Sequence, residues 1–284
     1  MSVWFKDMRQ LISAALMEVA AASTNPSRMR AARDKVRNGY AGPVILAEGD
    51  SWFCYPKRVG PHQIDDAPSD LIEQLAERYA VFTEAKPGDV AITMRGFINE
   101  ENGLIAEIGR LNADILLLSA GGNDLLGNGR LKRFLEAGDR EIPDYTRTVP
   151  YSNTFWAAVD AIEVMIRQSL RRHPQLQVVI HGYDYAIPTG IGPWLQEPMD
   201  ALGIPRAKHS DIARRITDQF NRALSELTDA INTDLRTERV HYVDLRNTIS
   251  DPNHWRDELH PTTEGFAALA ARIAQKIDAI HTPR

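Results

Sequence analysis

Short runs of consecutive apolar residues recur along the chain and predict the strands of a β-sheet. In these runs the apolar residues stand next to one another, which is typical of strands that are covered on both faces. A parallel sheet between two layers of helices has such strands, because both of its faces are buried. The five runs are Val44–Ala47, Val81–Glu84, Ile115–Ser119, Val178–His181 and Val240–Val243.

Between these runs, apolar residues spaced three and four positions apart predict amphipathic helices. Ser69 or Asp70 is a candidate N-cap for the first helix, and His173-Pro174 is expected to end the second. Strands that alternate with helices predict a doubly wound α/β sheet. The helical patterns cover residues 71–79, 159–170, 212–235 and 266–280.

Residues 1–284 are interpreted as a single domain, with residues 1–40 as a helical N-terminal extension packed on its core. The apolar stretch Leu11–Ala22 resembles the central part of a signal peptide, but Asp7 and Glu18 favour an amphipathic helix instead. The single cysteine, Cys54, excludes an intrachain disulfide. A cytoplasmic location is therefore expected, with secretion as the alternative.

Composition and charge narrow the classes of partner. Hydrophobic residues make up 43 % of the 284 residues and charged residues 25 %, as in ordinary globular proteins. The net charge of -5 predicts no general attraction to nucleic acid or to an anionic membrane. No apolar run approaches the ~18 residues that a transmembrane helix needs, so no transmembrane segment is expected.

Four short polar blocks follow predicted strands. They are Gly49-Asp50-Ser51, Gly88-Asp89, Gly121-Gly122-Asn123-Asp124 and Asp257-Glu258-Leu259-His260-Pro261. Ligands of open α/β sheets bind outside the carboxyl ends of the strands, where all four blocks are expected to meet. Ser51 can act as a nucleophile if His260 takes its proton and Asp257 orients the imidazole. The Ser51 N–H, the Gly88 N–H and the Asn123 amide can stabilise an oxyanion.

Asp257 and His260 form an Asp-x-x-His sequence, and a second one, Asp251 to His254, is an alternative source of the base. His260 is favoured because Pro261 and the following threonines are expected to fix its loop at the start of the last helix. Asp50 and Asp124 could be read as metal ligands, but no other metal-binding residues cluster with them in the sequence. They are therefore expected to make structural hydrogen bonds. Cys54 is an alternative nucleophile, although a lone cysteine is more often a small buried residue.

The four blocks and their order resemble those of the SGNH hydrolases, also called GDSL esterases or lipases. This resemblance implies a flavodoxin-like, three-layer α/β/α sandwich around the five-stranded parallel sheet. It also implies ester hydrolysis through an acyl-enzyme at Ser51, with an oxyanion hole of Ser51, Gly88 and Asn123, and no metal or organic cofactor. One departure is the stretch from Glu84 to Gly88, where the family often carries an asparagine.

Long connections at the strand ends predict a covered pocket. Residues 52–68, 125–153 and 183–209 exceed the usual loop length, and such loops are often functional. Trp52, Tyr183, Tyr185 and Trp194 are candidate substrate-binding residues, or they pack under the loops as a separate cluster.

The expected substrate is a small-molecule or acylated-sugar ester. Acyl transfer by the same site, and a non-catalytic small-molecule binding module, are the alternatives. A Gly-rich loop after a strand can also bind phosphate, but no phosphate-binding motif is present. The sequence predicts no oligomeric state.

Overall fold

The computed structural model describes residues 26–59 and 62–281. Its central sheet has five strands, which are β1 (Val44–Gly49), β2 (Ala80–Thr83), β3 (Ile115–Ser119), β4 (Gln177–His181) and β5 (Val240–Val243). All neighbouring pairs are parallel, and the order is β2-β1-β3-β4-β5. This is the flavodoxin-like strand order. The predicted strands are confirmed, with ends that differ by one or two residues.

Helices connect the strands and also occupy the long connections. The α-helices are α1 (Pro26–Arg37), α2 (Leu71–Arg78), α3 (Ala91–Gly96), α4 (Leu104–Leu111), α5 (Gly122–Leu125), α6 (Leu131–Phe134), α7 (Val149–Arg172), α8 (Gln196–Ala201), α9 (His209–Leu235) and α10 (Thr263–Ile280). Short 3₁₀ turns cover Gly127–Gly129, Ile142–Thr146, Arg206–Lys208 and Pro252–His254, and Arg58–Val59 pairs with His62–Gln63 as a small antiparallel ribbon.

The sheet lies between two apolar clusters, which explains why its strands lack an alternating pattern. Leu46 and Leu116 belong to the cluster that includes residues of α7 and α9, whereas Ile45 and Leu117 belong to the one that includes residues of α2 and α10. Successive side chains along a strand point to opposite faces, so a strand covered on both faces needs apolar residues in succession. The three-layer α/β/α sandwich is thereby confirmed.

Helix ends follow the chemistry of the sequence. Asp70 is the N-cap of α2, and together with Glu73 it forms a capping box. His173 ends α7, directly before Pro174. Thr262 accepts a hydrogen bond from the Gly265 N–H and caps α10.

Helix α1 packs against β2, an edge strand of the sheet, and buries Met29 and Ala32. The rest of the predicted N-terminal extension, residues 1–25, lies outside the described residues. Within the described ranges, no helix is long and apolar enough to cross a membrane.

Candidate active site

The four blocks meet at the carboxyl edge of the sheet. Ser51 lies two residues beyond the end of β1, the Gly88 block follows β2, and the Asn123 block follows β3. The segment from Asp257 to His260 lies between β5 and α10. Because β1 lies between β2 and β3, the nucleophile block is flanked by the other two blocks.

Ser51, His260 and Asp257 form a continuous hydrogen-bonded chain. The Ser51 Oγ lies 2.8 Å from His260 Nε2. His260 Nδ1 lies 2.9 and 3.0 Å from the two carboxylate oxygens of Asp257. The carboxylate is an acceptor, so it places the proton of the neutral imidazole on Nδ1 and leaves Nε2 free to accept from Ser51. The geometry is that of a serine activated by an oriented base.

The loop that carries the base is fixed by its own backbone. Asp257 Oδ1 accepts hydrogen bonds from the N–H groups of Leu259 and His260, both at 2.8 Å. The Arg256 N–H donates to the His260 carbonyl at 2.8 Å. Asp257 and His260 are both less than 10 % exposed. Few alternative conformations are open to an imidazole held in this way.

The candidate oxyanion donors come from three loops that are tied to one another. The Lys86 N–H donates to the Gly49 carbonyl at 3.0 Å, which fixes the β2 loop beside the nucleophile. Asn123 Nδ2 donates to the Asp89 carbonyl at 3.1 Å and keeps a second amide proton. Asp124 accepts from the Ala91 N–H at 2.8 Å, so both polar residues of the third block bind the segment from Asp89 to Ala91.

Gly88 has a φ of +80°, a left-handed conformation that favours glycine. Among the described residues, neither the Ser51 N–H nor the Gly88 N–H has a hydrogen-bond partner. Both are therefore available as donors to a bound oxygen.

The carboxylate of Asp50 fixes the Gly49-Asp50-Ser51 block through hydrogen bonds. Its carboxylate accepts from the Trp52 N–H at 3.0 Å, from Ser119 Oγ at 3.2 Å and from the Tyr183 hydroxyl at 2.6 Å. The same Tyr183 oxygen accepts from the Gly122 N–H at 3.2 Å. Burial raises the pKa of Asp50, against the effect of its hydrogen-bond donors, and it raises the pKa of Tyr183 well above its usual value. Tyr183 therefore remains protonated and bridges the first and third blocks.

A pocket of about 50 Å³ opens beside Ser51 and His260. Of the four aromatic residues predicted to bind substrate, Trp52 and Tyr183 line it. Tyr185 does not; its hydroxyl donates to Asp218 and its ring lies under the Arg214 guanidinium. Trp194 packs against the His260 ring instead, with 5.4 Å between ring centroids. Two of the four predicted residues therefore line the pocket, and the other two are not part of its lining.

Sequence reasoning missed the contribution of α9 to the pocket. Thr217, Phe220 and Asn221 line it, and all three lie within the helix predicted over residues 212–235, to which no binding role was assigned. Asn221 also donates to the Tyr183 carbonyl at 3.0 Å. Their proximity to Ser51 depends on how α9 crosses the sheet, for which the local sequence carries no signal.

The alternative candidates for the base and the nucleophile, His254 and Cys54, do not line the pocket. Asp251 accepts from the Asn253 N–H at 2.8 Å and caps a 3₁₀ turn, as expected of a loop carboxylate. His254 lies on that turn, and Cys54 is buried in the cluster beside α2. Over the described part of the chain, no group of three or more His, Cys, Asp or Glu side chains is arranged to hold a metal ion.

Comparisons with known proteins identify the family of the chain. The model of the GDSL-like lipase/acylhydrolase family matches residues 49–268, which contain all four blocks. No curated protein matches the chain significantly.

Several solved structures share the fold. A family 3 carbohydrate esterase from Clostridium thermocellum is 15 % identical, with a TM-score of 0.50 over 85 % of this chain and 100 % of that chain. An extracellular lipase from Streptomyces rimosus is 12 % identical, with a TM-score of 0.50 over 82 % and 99 %. A candidate GDSL-like lipase from Parabacteroides merdae is 16 % identical, with a TM-score of 0.50 over 83 % and 95 %.

Proposed function

This chain belongs to the GDSL-like lipase/acylhydrolase family and is an ester-hydrolysing enzyme, and from that premise we propose that it is a serine esterase working through an acyl-enzyme at Ser51. The observation that carries the proposal is the 2.8 Å contact between Ser51 Oγ and His260 Nε2, with Asp257 on the other ring nitrogen. A non-catalytic binding module has no need of this arrangement.

The proposed reaction has two halves. Ser51 Oγ attacks the ester carbonyl while its proton passes to His260 Nε2, and Asp257 stabilises the imidazolium. The negative charge on the carbonyl oxygen is met by the N–H groups of Ser51 and Gly88 and by the Asn123 amide. His260 then protonates the leaving alcohol, and the acyl group remains on Ser51. In the second half, a water loses a proton to His260 and attacks the acyl carbonyl. The bond to Ser51 Oγ then breaks, His260 returns the proton to that oxygen, and the acid is released.

The size of the pocket supports a short acyl group. A cavity of about 50 Å³ holds only a few water-sized groups. Apolar side chains from Leu125, Leu126 and Phe220 contribute to its wall, so it suits a small aliphatic group rather than a charged one. The alcohol part of the substrate then lies outside the pocket, where a small molecule or a sugar can be accommodated.

Covalent labelling tests the nucleophile. We expect a fluorophosphonate to label the wild-type protein once, at Ser51, and to abolish ester hydrolysis. The Ser51→Ala variant should escape labelling and lose several orders of magnitude of kcat, because removal of a nucleophile has that effect. Ser152→Ala, an exposed serine on α7, is the matched control and should behave as wild type. Near-wild-type turnover by folded Ser51→Ala would disprove the mechanism.

A series of esters tests the acyl pocket. With nitrophenyl acetate, butyrate and octanoate, we expect kcat/KM to fall as the acyl chain grows, because the proposed acyl pocket is small. Acetylated sugars, assayed in parallel, test the alcohol side. Octanoate hydrolysed as efficiently as acetate would contradict the short-acyl assignment while leaving the role of Ser51 untouched.

A further inference from the structure

Glu258 lies inside the loop that carries the base, and its side chain is fully buried. Its carboxylate accepts four backbone hydrogen bonds from one distant segment. Oε1 accepts from the N–H groups of Gly190 at 3.2 Å and Gln196 at 2.8 Å. Oε2 accepts from those of Trp194 at 3.0 Å and Leu195 at 2.8 Å. Burial raises the pKa of the Glu258 carboxyl. The four donors act against that shift, because each replaces a hydrogen bond to water that the buried carboxylate has lost.

The segment bound by Glu258, residues 190–196, combines two buried residues, Trp194 and Leu195, with two glycines in left-handed conformations. Gly190 and Gly192 adopt positive φ angles of 72° and 127°. The Glu258 N–H donates to the Ile191 carbonyl at 3.3 Å, a fifth contact between the same two segments. Without the carboxylate, the Trp194 and Leu195 N–H groups would be buried and unpaired, which is costly.

This segment places an aromatic ring on the proposed base. The Trp194 indole is 5 % exposed and meets the His260 imidazole edge-on, with ring centroids 5.4 Å apart and planes at 75°. Tyr55 makes a second such contact at 5.2 Å. Packed rings restrict the rotation of the imidazole about its χ angles, in addition to the hydrogen bond that its Nδ1–H donates to Asp257.

We propose that Glu258 is a positioning residue for the ester hydrolysis: its ionised carboxylate holds residues 190–196 against the base loop, and Trp194 in turn holds the His260 ring in line with Ser51. The inference rests on the proposed function. It assigns Glu258 no contact with substrate and no proton transfer.

The first test is Glu258→Gln, whose amide can accept two of the four hydrogen bonds but opposes the other two N–H groups. We expect kcat per folded molecule to fall about 10- to 100-fold with KM nearly unchanged, because a displacement of about 1 Å at a reacting group has an effect of that size. Glu197→Gln is the matched control: this carboxylate lies on α8, is exposed and has no hydrogen bond or ion pair among the described residues. It should retain wild-type kcat.

The second test asks whether Glu258 acts through Trp194. If it does, the losses in kcat caused by Glu258→Gln and Trp194→Leu should be clearly less than multiplicative in the double variant, because both remove the same constraint on His260. If Glu258→Gln does not fold, Glu258→Asp serves instead. It keeps the charge but cannot reach all four N–H groups, so it should still lower kcat relative to the wild type with KM nearly unchanged.

A readout that needs no turnover separates this inference from the proposed function. The Nδ1 proton of His260 can be followed by NMR and assigned by its absence in His260→Ala. We expect Glu258→Gln to shift or broaden it and Glu197→Gln to leave it unchanged. An unchanged resonance with wild-type kcat, or fully multiplicative losses in the double variant, would overturn the role of Glu258. Activity retained by Ser51→Ala would overturn the proposed function instead.

Discussion

At the scale of single residues, the chain contains its own control for the proposed base. His260 and His254 both stand three residues after an aspartate, but only His260 contacts Ser51. We expect His260→Ala to lower kcat by several orders of magnitude and His254→Ala to leave it nearly unchanged. Ester hydrolysis by the two purified variants, corrected for folded fraction, is the measurement.

The paired aspartates extend the same comparison. Asp257→Asn should lower kcat by on the order of 10⁴-fold, because an amide neither stabilises imidazolium nor favours the correct tautomer. Asp251→Asn should be nearly silent, since an asparagine can still cap the turn at Asn253. An inactive His254→Ala beside an active His260→Ala would contradict the assignment of His260 as the base.

At the scale of elements, the buried pair between Arg28 and Asp70 joins three parts of the fold. Asp70 caps α2, accepts from the Tyr55 N–H after the nucleophile block, and binds Arg28 of α1 at 2.7 Å. Asp70→Ala should lower the free energy of unfolding by about 3–5 kcal/mol. It removes the cap of α2, the acceptor of the Tyr55 N–H and one carboxylate partner of Arg28, which keeps Glu73. Urea denaturation measures the change.

The exposed pair between Arg95 and Asp160 is the matched control for that prediction. Asp160→Ala should lower the free energy of unfolding by less than about 1 kcal/mol, as is usual for surface ion pairs. Equal losses from Asp70→Ala and Asp160→Ala would show that burial of the first pair carries no special weight.

The elements also show why the sequence predicted some features and not others. The strands were predictable because burial on both faces leaves a local apolar run, and the cap at Asp70 because a capping box is local. Glu258 was given no role, since the four N–H groups that it binds lie 62 to 68 residues earlier. Asp184 is a second case, with N–H groups of Asn247, Thr248 and Ile249 bound to its carboxylate. Such contacts follow from the assembled loops and leave no periodic signal.

At the scale of the whole molecule, His181 links stability to pH. It is fully buried at the end of β4, its Nδ1 donates to the Gly182 carbonyl, and its Nε2 faces no hydrogen-bond partner among the described residues. Burial lowers its pKa to about 4. The unfolded chain, with an ordinary histidine pKa near ~6.5, then binds a proton first as the pH falls. The contribution of neutral His181 to the free energy of unfolding is therefore complete above pH ~6.5. It is lost as the pH falls towards 4.

From these values, protonation of His181 should lower the free energy of unfolding by about 2 kcal/mol between pH 7 and pH 5. His181→Asn removes the titrating group, so its stability should depend less on pH over this range, whatever its stability at pH 7. His254→Asn is the control and should keep the wild-type slope. Denaturation midpoints measured across the range would contradict the prediction if all three proteins lost stability in parallel.

The long separation of Ser51 from His260 along the chain has a consequence for the time at which the enzyme becomes active. The two residues are 209 positions apart, and the base follows the last strand of the sheet. During synthesis the N-terminal part emerges first. A ribosome-bound chain that has produced only β1 to β3 carries the serine without its proton acceptor. By the mechanism proposed above, unfinished chains are therefore inactive towards esters, and activity begins only when β5 and the segment that follows it have docked.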